Sequence, residues 1–358
     1  MKYHFTLSVI ISLILLNSCG NKEIGYKEIS FKVHKLPLQL SEVHKSRVVS
    51  NNQSTHGLYL LNSRHDKFLK FYNFNNGSLD TVLRLNLPVE TFNDVEIYNN
   101  QVYTLLNNSL VIQSLYDSSE RKQYRFYDSL YTLGVDIGIN NKGTFVHVLK
   151  DLVYNSAETH KICYTSPCDA RMKLTNDSLL ISDFNMNFPR YYQDKIRSFY
   201  SFIYQKLAVK DDVLYSFDLS NELYVKSGLT GELSNIPFKS NYYNTPKDFD
   251  TSKMNDPNYY QLFSPINYGT IAYNPVRKEF YRVMLHESKE ISNKGFHQPW
   301  SLIVGDENLR VKYEIVFEGS KYINNKIVPT ERGFAVFVLP DDLDEKNQLI
   351  LHEYELTE

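Results

Sequence analysis

The sequence lacks most of the features that would identify an enzyme or a nucleic-acid-binding protein. It has no Gly-x-Ser-x-Gly elbow, no His-Glu-x-x-His pair and no phosphate-binding P-loop, so no common catalytic motif nominates a reaction. Lys and Arg number 39 against 41 for Asp and Glu, and a net charge of −2 gives no sign of a basic surface for nucleic acid. With only 14 Gly and 12 Pro in 358 residues, the composition also argues against a fibrous or disordered chain.

Long apolar runs are scarce as well. The main one, Phe5–Leu16, is too short for a membrane span of about 20 residues but is typical of a secretory signal peptide. It leads into Leu16-Asn17-Ser18-Cys19, which resembles the bacterial lipobox, where a small residue precedes a cysteine that is acylated and becomes the mature N-terminus. The alternative is a buried N-terminal strand that ends at a chance cysteine.

The lipobox resemblance implies where the protein is attached. It implies a lipoprotein signal peptide over residues 1–18, lipid attachment at Cys19 and a polar tether over residues 19–25. Gly20 after the cysteine implies transfer to the outer membrane, on the periplasmic or the cell-surface side. The acyl chains are then the membrane anchor, since each buried methylene adds about 0.8 kcal/mol.

Only two cysteines remain after Cys19. Cys163 and Cys168 lie in the segment CYTSPC, on either side of a Ser166-Pro167 turn. A location outside the cytoplasm favours a disulfide that closes this small hairpin, and two reduced thiols are the alternative. A zinc site is disfavoured because no further Cys or His follows at regular spacing.

What the sequence does contain is a repeated strand pattern, seen best in Gly57–Leu85. Three short strands are predicted there, over Gly57–Ser63, Asp66–Asn73 and Leu79–Leu85, because apolar and polar residues alternate. An Asn76-Gly77 pair supplies the turn chemistry of a hairpin. The 28 Tyr and 21 Phe also favour sheet.

Similar sets recur at a spacing of roughly 35–45 residues, which is typical of β-propeller blades. Seven sets are predicted, over residues 57–85, 94–127, 133–164, 171–183, 206–238, 266–317 and 323–354. Six is the alternative, if the short fourth set joins the fifth. The last set has three strands, so Tyr26–His34 is predicted to pair beside it and close the ring. The sequence therefore predicts an all-β propeller, as a single domain over residues 26–358.

The lipobox, the repeated sets and the chain length together resemble uncharacterised secreted lipoproteins of Gram-negative bacteria with six- or seven-bladed β-propeller folds. The segment LYLLNSRHDKFLKFY resembles their blade pattern, and Tyr273-Asn274-Pro275 followed by Phe280-Tyr281-Arg282 resembles an aromatic-Arg stretch in one such family. The resemblance implies the fold and names no activity.

Three insertions interrupt the strand pattern, at Phe184–Tyr200, Ser240–Tyr260 and His286–Trp300. Long loops on a rigid scaffold are usual recognition sites, and Tyr and Trp combine a rigid apolar face with a polar tip. The candidate ligand-binding residues are Tyr191, Tyr192, Tyr242, Tyr243, Tyr259, Tyr260 and Trp300. Gathered on one face, the insertions would line a mouth for a glycan or an extended peptide. The alternative is that they pack over the strand ends and shield the sheet edges.

Acidic residues near the first strands of the sets are candidate metal ligands. They are Asp94, Glu96, Asp136 and Asp183. Carboxylates that converge on a propeller axis can hold Ca²⁺, which takes six to eight oxygen ligands. The alternative is that these are solvated strand-end or turn residues that cap main-chain N–H groups.

The leading interpretation is a non-enzymatic, lipid-anchored protein of the cell envelope that binds a glycan, a peptide or a partner protein. No cofactor is expected in that case, and nucleic acid is not expected as a partner. The first alternative is a metal-dependent hydrolase or lyase that acts on a sugar or lactone through axial carboxylates. The second is a structural subunit of an envelope complex.

Overall fold

β-Strands account for nearly all of the regular structure, which confirms the predicted all-β class. The computed structural model describes residues 31–36, 46–49, 57–62, 68–73, 79–85, 92–117, 119–150, 164–190, 192, 204–243, 267–286, 299–317, 322–338 and 349–356. These residues contain 24 strands in five hydrogen-bonded sheets, four with four strands and one with eight.

The strands form groups of four that follow the chain. The first group contains β2 (Ser46–Val49), β3 (Gly57–Asn62), β4 (Phe68–Asn73) and β5 (Leu79–Arg84). The second contains β6 (Asp94–Tyr98), β7 (Gln101–Leu106), β8 (Ser109–Ser114) and β9 (Arg121–Phe126). The third contains β10 (Tyr131–Asn140), β11 (Gly143–Lys150), β12 (Pro167–Thr175) and β13 (Ser178–Asn187). A short parallel pairing of β13 with β9 joins the second and third groups into the eight-stranded sheet.

The remaining strands repeat this arrangement. The fourth group contains β14 (Tyr204–Val209), β15 (Asp212–Phe217), β16 (Glu222–Lys226) and β17 (Leu233–Pro237). The fifth contains β18 (Asn267–Asn274), β19 (Glu279–Leu285), β20 (Trp300–Gly305) and β21 (Val311–Phe317). The sixth contains β22 (Tyr322–Pro329), β23 (Gly333–Val338), β24 (Leu349–Glu355) and β1 (Phe31–Leu36).

The described strands thus form six groups, not the seven predicted sets. The predicted fourth set supplies β12 and β13 of the third group, because Thr144 to His147 of β11 pair with Met172 to Asp169 of β12. The alternative had given six sets by joining this set to the fifth; six groups are described, but the set joins the third instead. The strand predicted at 152–154 and residues 160–163 of the strand predicted at 160–164 lie outside the described residues, and Tyr164 is not part of a described strand.

The N-terminal strand completes the sixth group. β1 pairs antiparallel with β24 along its whole length, from Phe31 opposite Tyr354 to Leu36 opposite Leu349. The predicted pairing of an N-terminal strand beside the last set is therefore confirmed, although the described strand begins at Phe31 and ends at Leu36. Residues 26–30 of the predicted strand lie outside the described part.

Deleting residues 20–36 should therefore destabilise the protein, because β24 would lose six paired residues and become an open edge. Cross-strand pairs contribute roughly 0.2–1 kcal/mol each, so we expect a loss of about 1–6 kcal/mol in the free energy of unfolding. Chemical denaturation measures this loss. Deleting residues 20–30 alone is the control, and equal stability of the two deletion variants would contradict the role of β1.

Consecutive groups pack face to face, with an apolar core between each described pair. The core between the fifth and sixth groups contains Trp300 and Phe334, and that between the fourth and fifth contains Leu214 and Phe280. Similar cores join the third to the fourth group, the second to the third, and the first to the second. The first strands of consecutive groups, β2, β6, β10, β14, β18 and β22, lie side by side in that order.

The stack has two different ends. At one end, which we call the turn end, the first and second strands of a group are joined by tight turns that contact each other. The Tyr98 hydroxyl donates to Asn141 Oδ1 (2.5 Å), and Lys142 Nζ lies 3.6 Å from Asp211 Oδ2. The opposite end carries the connections that contain the predicted insertions, and we call it the insertion end.

Candidate functional site

The first two insertions meet at one turn of the insertion end. The turn connects β15 to β16 and contains Asp218 and Leu219. Tyr192, from the first insertion, donates its hydroxyl hydrogen to Asp218 Oδ1 and accepts from the Leu219 N–H (3.2 Å). Tyr243, from the second insertion, donates to the Leu219 carbonyl (2.8 Å). The described bases of these two insertions are therefore held together.

The second and third insertions also touch. The Tyr242 ring stacks on the His286 ring, with centroids 4.7 Å apart and an interplanar angle of 29°. Tyr242 remains 40% exposed, whereas His286 is half-buried. The described bases of all three insertions thus lie at the same end of the molecule, with an aromatic surface between the second and the third.

A network of hydroxyl and carboxylate groups lies beneath this stacked pair. Ser240 donates to Glu314 Oε1 (2.5 Å), and buried Ser301 donates to the same oxygen. The Asn241 N–H donates to Glu314 Oε2 (2.8 Å). His286 Nε2 lies 3.0 Å from the Ser301 hydroxyl oxygen. One carboxylate on β21 therefore fixes the start of the second insertion and the start of β20.

The direction of these hydrogen bonds differs from that of a serine nucleophile. A catalytic imidazole accepts the serine hydroxyl hydrogen, whereas Ser301 directs its hydrogen to Glu314, so His286 Nε2 is left as the donor. Burial lowers the pKa of His286, and the charge of Glu314 opposes that effect. A neutral imidazole that is fixed by Ser301 and faces Tyr242 suits stacking and hydrogen bonding to a ligand.

Buried Arg282 donates hydrogen bonds to main-chain segments that lie next to the first two insertions. Its guanidinium donates to the carbonyls of Phe217 (3.1 Å), Ser220 (2.8 Å) and Phe238 (3.0 Å), and also lies 3.5 Å from the centroid of the Tyr268 ring. These carbonyls belong to the β15–β16 turn and to the start of the second insertion. Arg282, which the sequence singled out only through a resemblance, therefore holds together the segments from which the two tyrosines extend.

Tyr268 links the same segments. It accepts from the Ser240 N–H (3.1 Å) and donates to Asn221 Oδ1 (2.8 Å). Burial raises the pKa of Tyr268 to about 12, and the charge of Arg282 opposes that rise. The phenol is therefore a permanent neutral hydrogen-bonding group at physiological pH.

The predicted ligand-binding aromatics have different environments. Tyr242 is exposed and Tyr243 is half-buried, which suits a binding surface. Tyr192 is buried, and Trp300 is fully buried, stacked on Phe317 with centroids 4.1 Å apart. The prediction that Trp300 lines an exposed mouth is corrected, because it is the first residue of β20 and faces the core. Tyr191, Tyr259 and Tyr260 lie outside the described residues.

Three of the four predicted acidic residues converge on the first strands. Asp94 Oδ2 accepts from the Ile137 N–H of the next group (3.1 Å), and Asp136 Oδ2 accepts from the Lys206 N–H of the group after it (3.0 Å). Burial raises the pKa of Glu96 well above its usual range, and the charges of Asp94 and Asp136 raise it further. These contacts match the alternative only in part, because Asp94 and Asp136 accept main-chain hydrogen bonds but Glu96 is buried rather than solvated.

The fourth acidic residue is not part of this cluster. Asp183 is exposed on β13, the last strand of its group, opposite Arg171 of β12. In the part of the chain that the structure describes, no group of three His, Cys, Asp or Glu side chains is arranged to hold a metal ion. No described helix is long and apolar enough to cross a membrane.

A buried ion pair lies beside the acidic cluster. Lys206 Nζ is 2.6 Å from Asp169 Oδ1, and both side chains are fully buried. Tyr215 donates to the other Asp169 oxygen (2.7 Å). Burial and the charge of Lys206 lower the pKa of nearby His147 to about 3, so this imidazole is neutral. A side chain at Gly134 would lie 2.6 Å from the His147 ring, so only glycine fits there.

Cys168 also lies in this region. It is a buried thiol that donates to the Met186 carbonyl (3.5 Å), and burial raises its pKa well above the usual range. The disulfide and the reduced alternative for the CYTSPC segment both stay predictions. Cys163 lies outside the described residues.

Sequence reasoning missed several residues of the surface around Tyr242 and His286 and of the buried cluster around Asp169. Ser301 and Glu314 gave no signal, since each is an ordinary strand residue and no local motif encodes its partners, which lie 13 to 74 residues away. Lys206 and Asp169 were missed for the same reason. His286 and Ser240 were identified only as the first residues of insertions, which is the one sequence signal that led to this surface.

Comparison with known proteins gives the family. The family model described as Domain of unknown function (DUF4221) matches residues 27–314. No curated protein matches the chain. A crystal structure of a DUF4221 family member from Bacteroides vulgatus ATCC 8482 is similar, with a TM-score of 0.66 and 14% sequence identity over 92% of this chain and 99% of that chain. At this identity the likeness shows the fold alone. Because the family model spans most of the sequence, the chain belongs to the DUF4221 family.

Proposed function

We propose that this protein is a lipid-anchored β-propeller of the cell envelope that binds a glycan or a peptide at its insertion end without chemical turnover. The observation that carries the proposal is the meeting of the three insertion bases, with exposed Tyr242 stacked on His286 between two of them. An exposed aromatic ring fixed by a neighbouring ring presents a rigid apolar face at little entropic cost.

The sheet arrangement supports a propeller of six blades. Each group of four strands packs its face on the next, and the first strands lie side by side as they would around an axis. β1 then closes the ring by joining the last blade. Attachment to the outer membrane through an acylated Cys19 rests on the lipobox resemblance.

The metal-dependent alternative has weaker support. Asp94 and Asp136 already accept main-chain N–H groups of neighbouring strands, and Asp169 is bonded to Lys206 and Tyr215. A Ca²⁺ ion would compete with these donors for the same oxygens. The role of a structural subunit in an envelope complex would use the insertion end as a protein interface instead.

Replacing Tyr242 should test the binding surface. We expect Tyr242→Ala to weaken binding about 30-fold, since truncating an aromatic hot spot removes about 2 kcal/mol. Fluorescence polarisation against panels of fluorescein-labelled oligosaccharides and peptides measures the affinity. The matched control is Tyr127→Ala, which removes a tyrosine that is 67% exposed directly after β9. Equal affinities for the two variants, or no binding by the unmodified protein to either panel, would sink the proposal.

A further inference from the structure

The turn end carries exposed apolar side chains at the tips of its turns. Leu229 is 78% exposed between β16 and β17, Tyr116 is 77% exposed between β8 and β9, and Val276 is 58% exposed between β18 and β19. Contacts with neighbouring turns fix their position, because Tyr116 donates to Asn100 Oδ1 (3.3 Å) and the Gly228 N–H donates to Asp212 Oδ1 (3.1 Å). Exposure alone does not distinguish the two ends, since Leu130, just before β10, is also 58% exposed.

The place where the N-terminal segment enters the fold does distinguish the turn end from the insertion end. Phe31, the first residue of β1, pairs with Tyr354, and Gly333 of the β22–β23 turn pairs with neighbouring Glu355. The Thr330 carbonyl in that turn accepts from Asn274 Nδ2 (2.8 Å), beside the β18–β19 turn. The chain that follows Cys19 therefore enters the fold at the turn end.

The length of that connection limits the orientation. Cys19 and Phe31 are separated by twelve residue steps, which reach at most about 40 Å when fully extended. β10 alone, which runs from the insertion end to the turn end, is about 33 Å long at the usual rise per residue. If the insertion end faced the bilayer instead, residues 19–31 would have to extend almost fully along the height of the protein.

The turn end carries two exposed lysines. Lys210 and Lys278 have side chains that are 69% and 63% exposed, and they lie 3.9 and 4.0 Å from Glu307. A lysine near an anionic membrane surface contributes about 1 kcal/mol. Leu, Val and Tyr side chains at turn tips suit the boundary between headgroups and acyl chains.

From this combination we infer that the turn end rests on the bilayer to which Cys19 is anchored, with Leu229, Tyr116 and Val276 at the headgroup level. The insertion end then points away from that membrane. The inference rests on the acylation of Cys19 in the proposed function, but not on the ligand. The inference therefore names the turn end as the surface that faces the membrane and the insertion end as the surface that faces away from it.

Tryptophan substitution tests this orientation, because the chain has a single Trp and Trp300 is fully buried. Leu229→Trp and the matched Leu130→Trp are prepared in the acylated full chain and reconstituted in phosphatidylethanolamine–phosphatidylglycerol vesicles that contain a headgroup nitroxide lipid. The signal of the unmodified protein is subtracted. We expect the added fluorescence of Leu229→Trp to fall by about half and that of Leu130→Trp to remain unchanged.

The other outcomes separate a failure of the orientation from a failure of the proposed function. Quenching of Leu130→Trp, or of neither variant, would overturn the orientation while leaving the anchor intact. Mass spectrometry of the N-terminal peptide shows whether Cys19 is acylated, and an unmodified cysteine would remove the anchor and the orientation together. A failure of the oligosaccharide and peptide panels would sink ligand binding without changing the quenching pattern.

Discussion

Lys206→Met should lower the free energy of unfolding by about 3–5 kcal/mol, because it leaves Asp169 buried without its cation. Asp169 would retain the hydrogen bond from Tyr215, but one neutral donor does not replace an ammonium group at 2.6 Å. Chemical denaturation measures the change. The control is Lys210→Met, which removes an exposed lysine at the turn end and should change stability by less than about 1 kcal/mol.

The loss should also depend on pH. The charge of Lys206 lowers the pKa values of both Glu96 and Asp136, so its removal raises them further above those of the unfolded chain, which lie near 4. A carboxyl group whose folded pKa is raised loses stability as the pH rises from the unfolded value to the folded one. The deficit of Lys206→Met should therefore be larger at pH 8 than at pH 5.

A second substitution shows whether Lys206→Met lowers stability through uncompensated charge or through lost packing. Adding Asp169→Asn to Lys206→Met removes the uncompensated charge but keeps an oxygen that accepts from Tyr215. We expect the double variant to recover part of the lost stability, most clearly at pH 8. If the single and double variants were equally stable at both pH values, the effect would come from lost packing rather than from buried charge.

Arg282→Met should lower the free energy of unfolding by about 2–6 kcal/mol, since the buried carbonyls of Ser220 and Phe238 lose this donor and each can cost about 1–3 kcal/mol. The Phe217 carbonyl also loses it but still accepts from the Ser220 N–H (3.2 Å). Methionine keeps the apolar length of the side chain, so the effect reports the guanidinium. Arg282→Lys should recover little, because one ammonium group cannot reach three carbonyls in different directions.

Arg282→Met should also weaken ligand binding, through a local change near the insertions. The carbonyls of Phe217 and Ser220 belong to the turn that contacts the first two insertions, so binding at Tyr242 should weaken even under conditions in which the variant remains folded. Arg310→Met, at an exposed position of the turn end, is the control for stability and binding. Indistinguishable unfolding curves for the two variants would contradict the supporting role of Arg282.

The sequence predicted the parts of this structure that depend on local patterns. Alternation and turn residues are local, so the strands of Gly57–Leu85 were located with bounds close to the observed ones. Assignment of Arg171–Asp183 to a group depends on pairing with β11, across residues 151–166, and no local pattern encodes that partner. The count of seven sets was wrong for this reason.

Trp300 shows a different source of error. β20 is buried along its whole length because it lies between two packed sheets, so its sequence does not alternate. Without alternation, the end of the insertion and the start of the strand could not be separated, and a core residue was assigned to the loop. Tyr242 was assigned to an insertion and Asp94 and Asp136 to first strands, and the structure places them there, but their partners are distant in sequence and required the structure. Their predicted roles in ligand and metal binding stay predictions.

The pairing of β1 with β24 also means that the sixth group can form only after the chain through β24 has been synthesised. β1 is synthesised before any other described strand, and its partner is synthesised after all the rest. The first strand must therefore wait unpaired while the intervening groups form, and an interrupted chain exposes the edge of whichever group was made last. Synthesis through β24 is thus required before β1 can pair, and shorter chains keep unpaired strand edges.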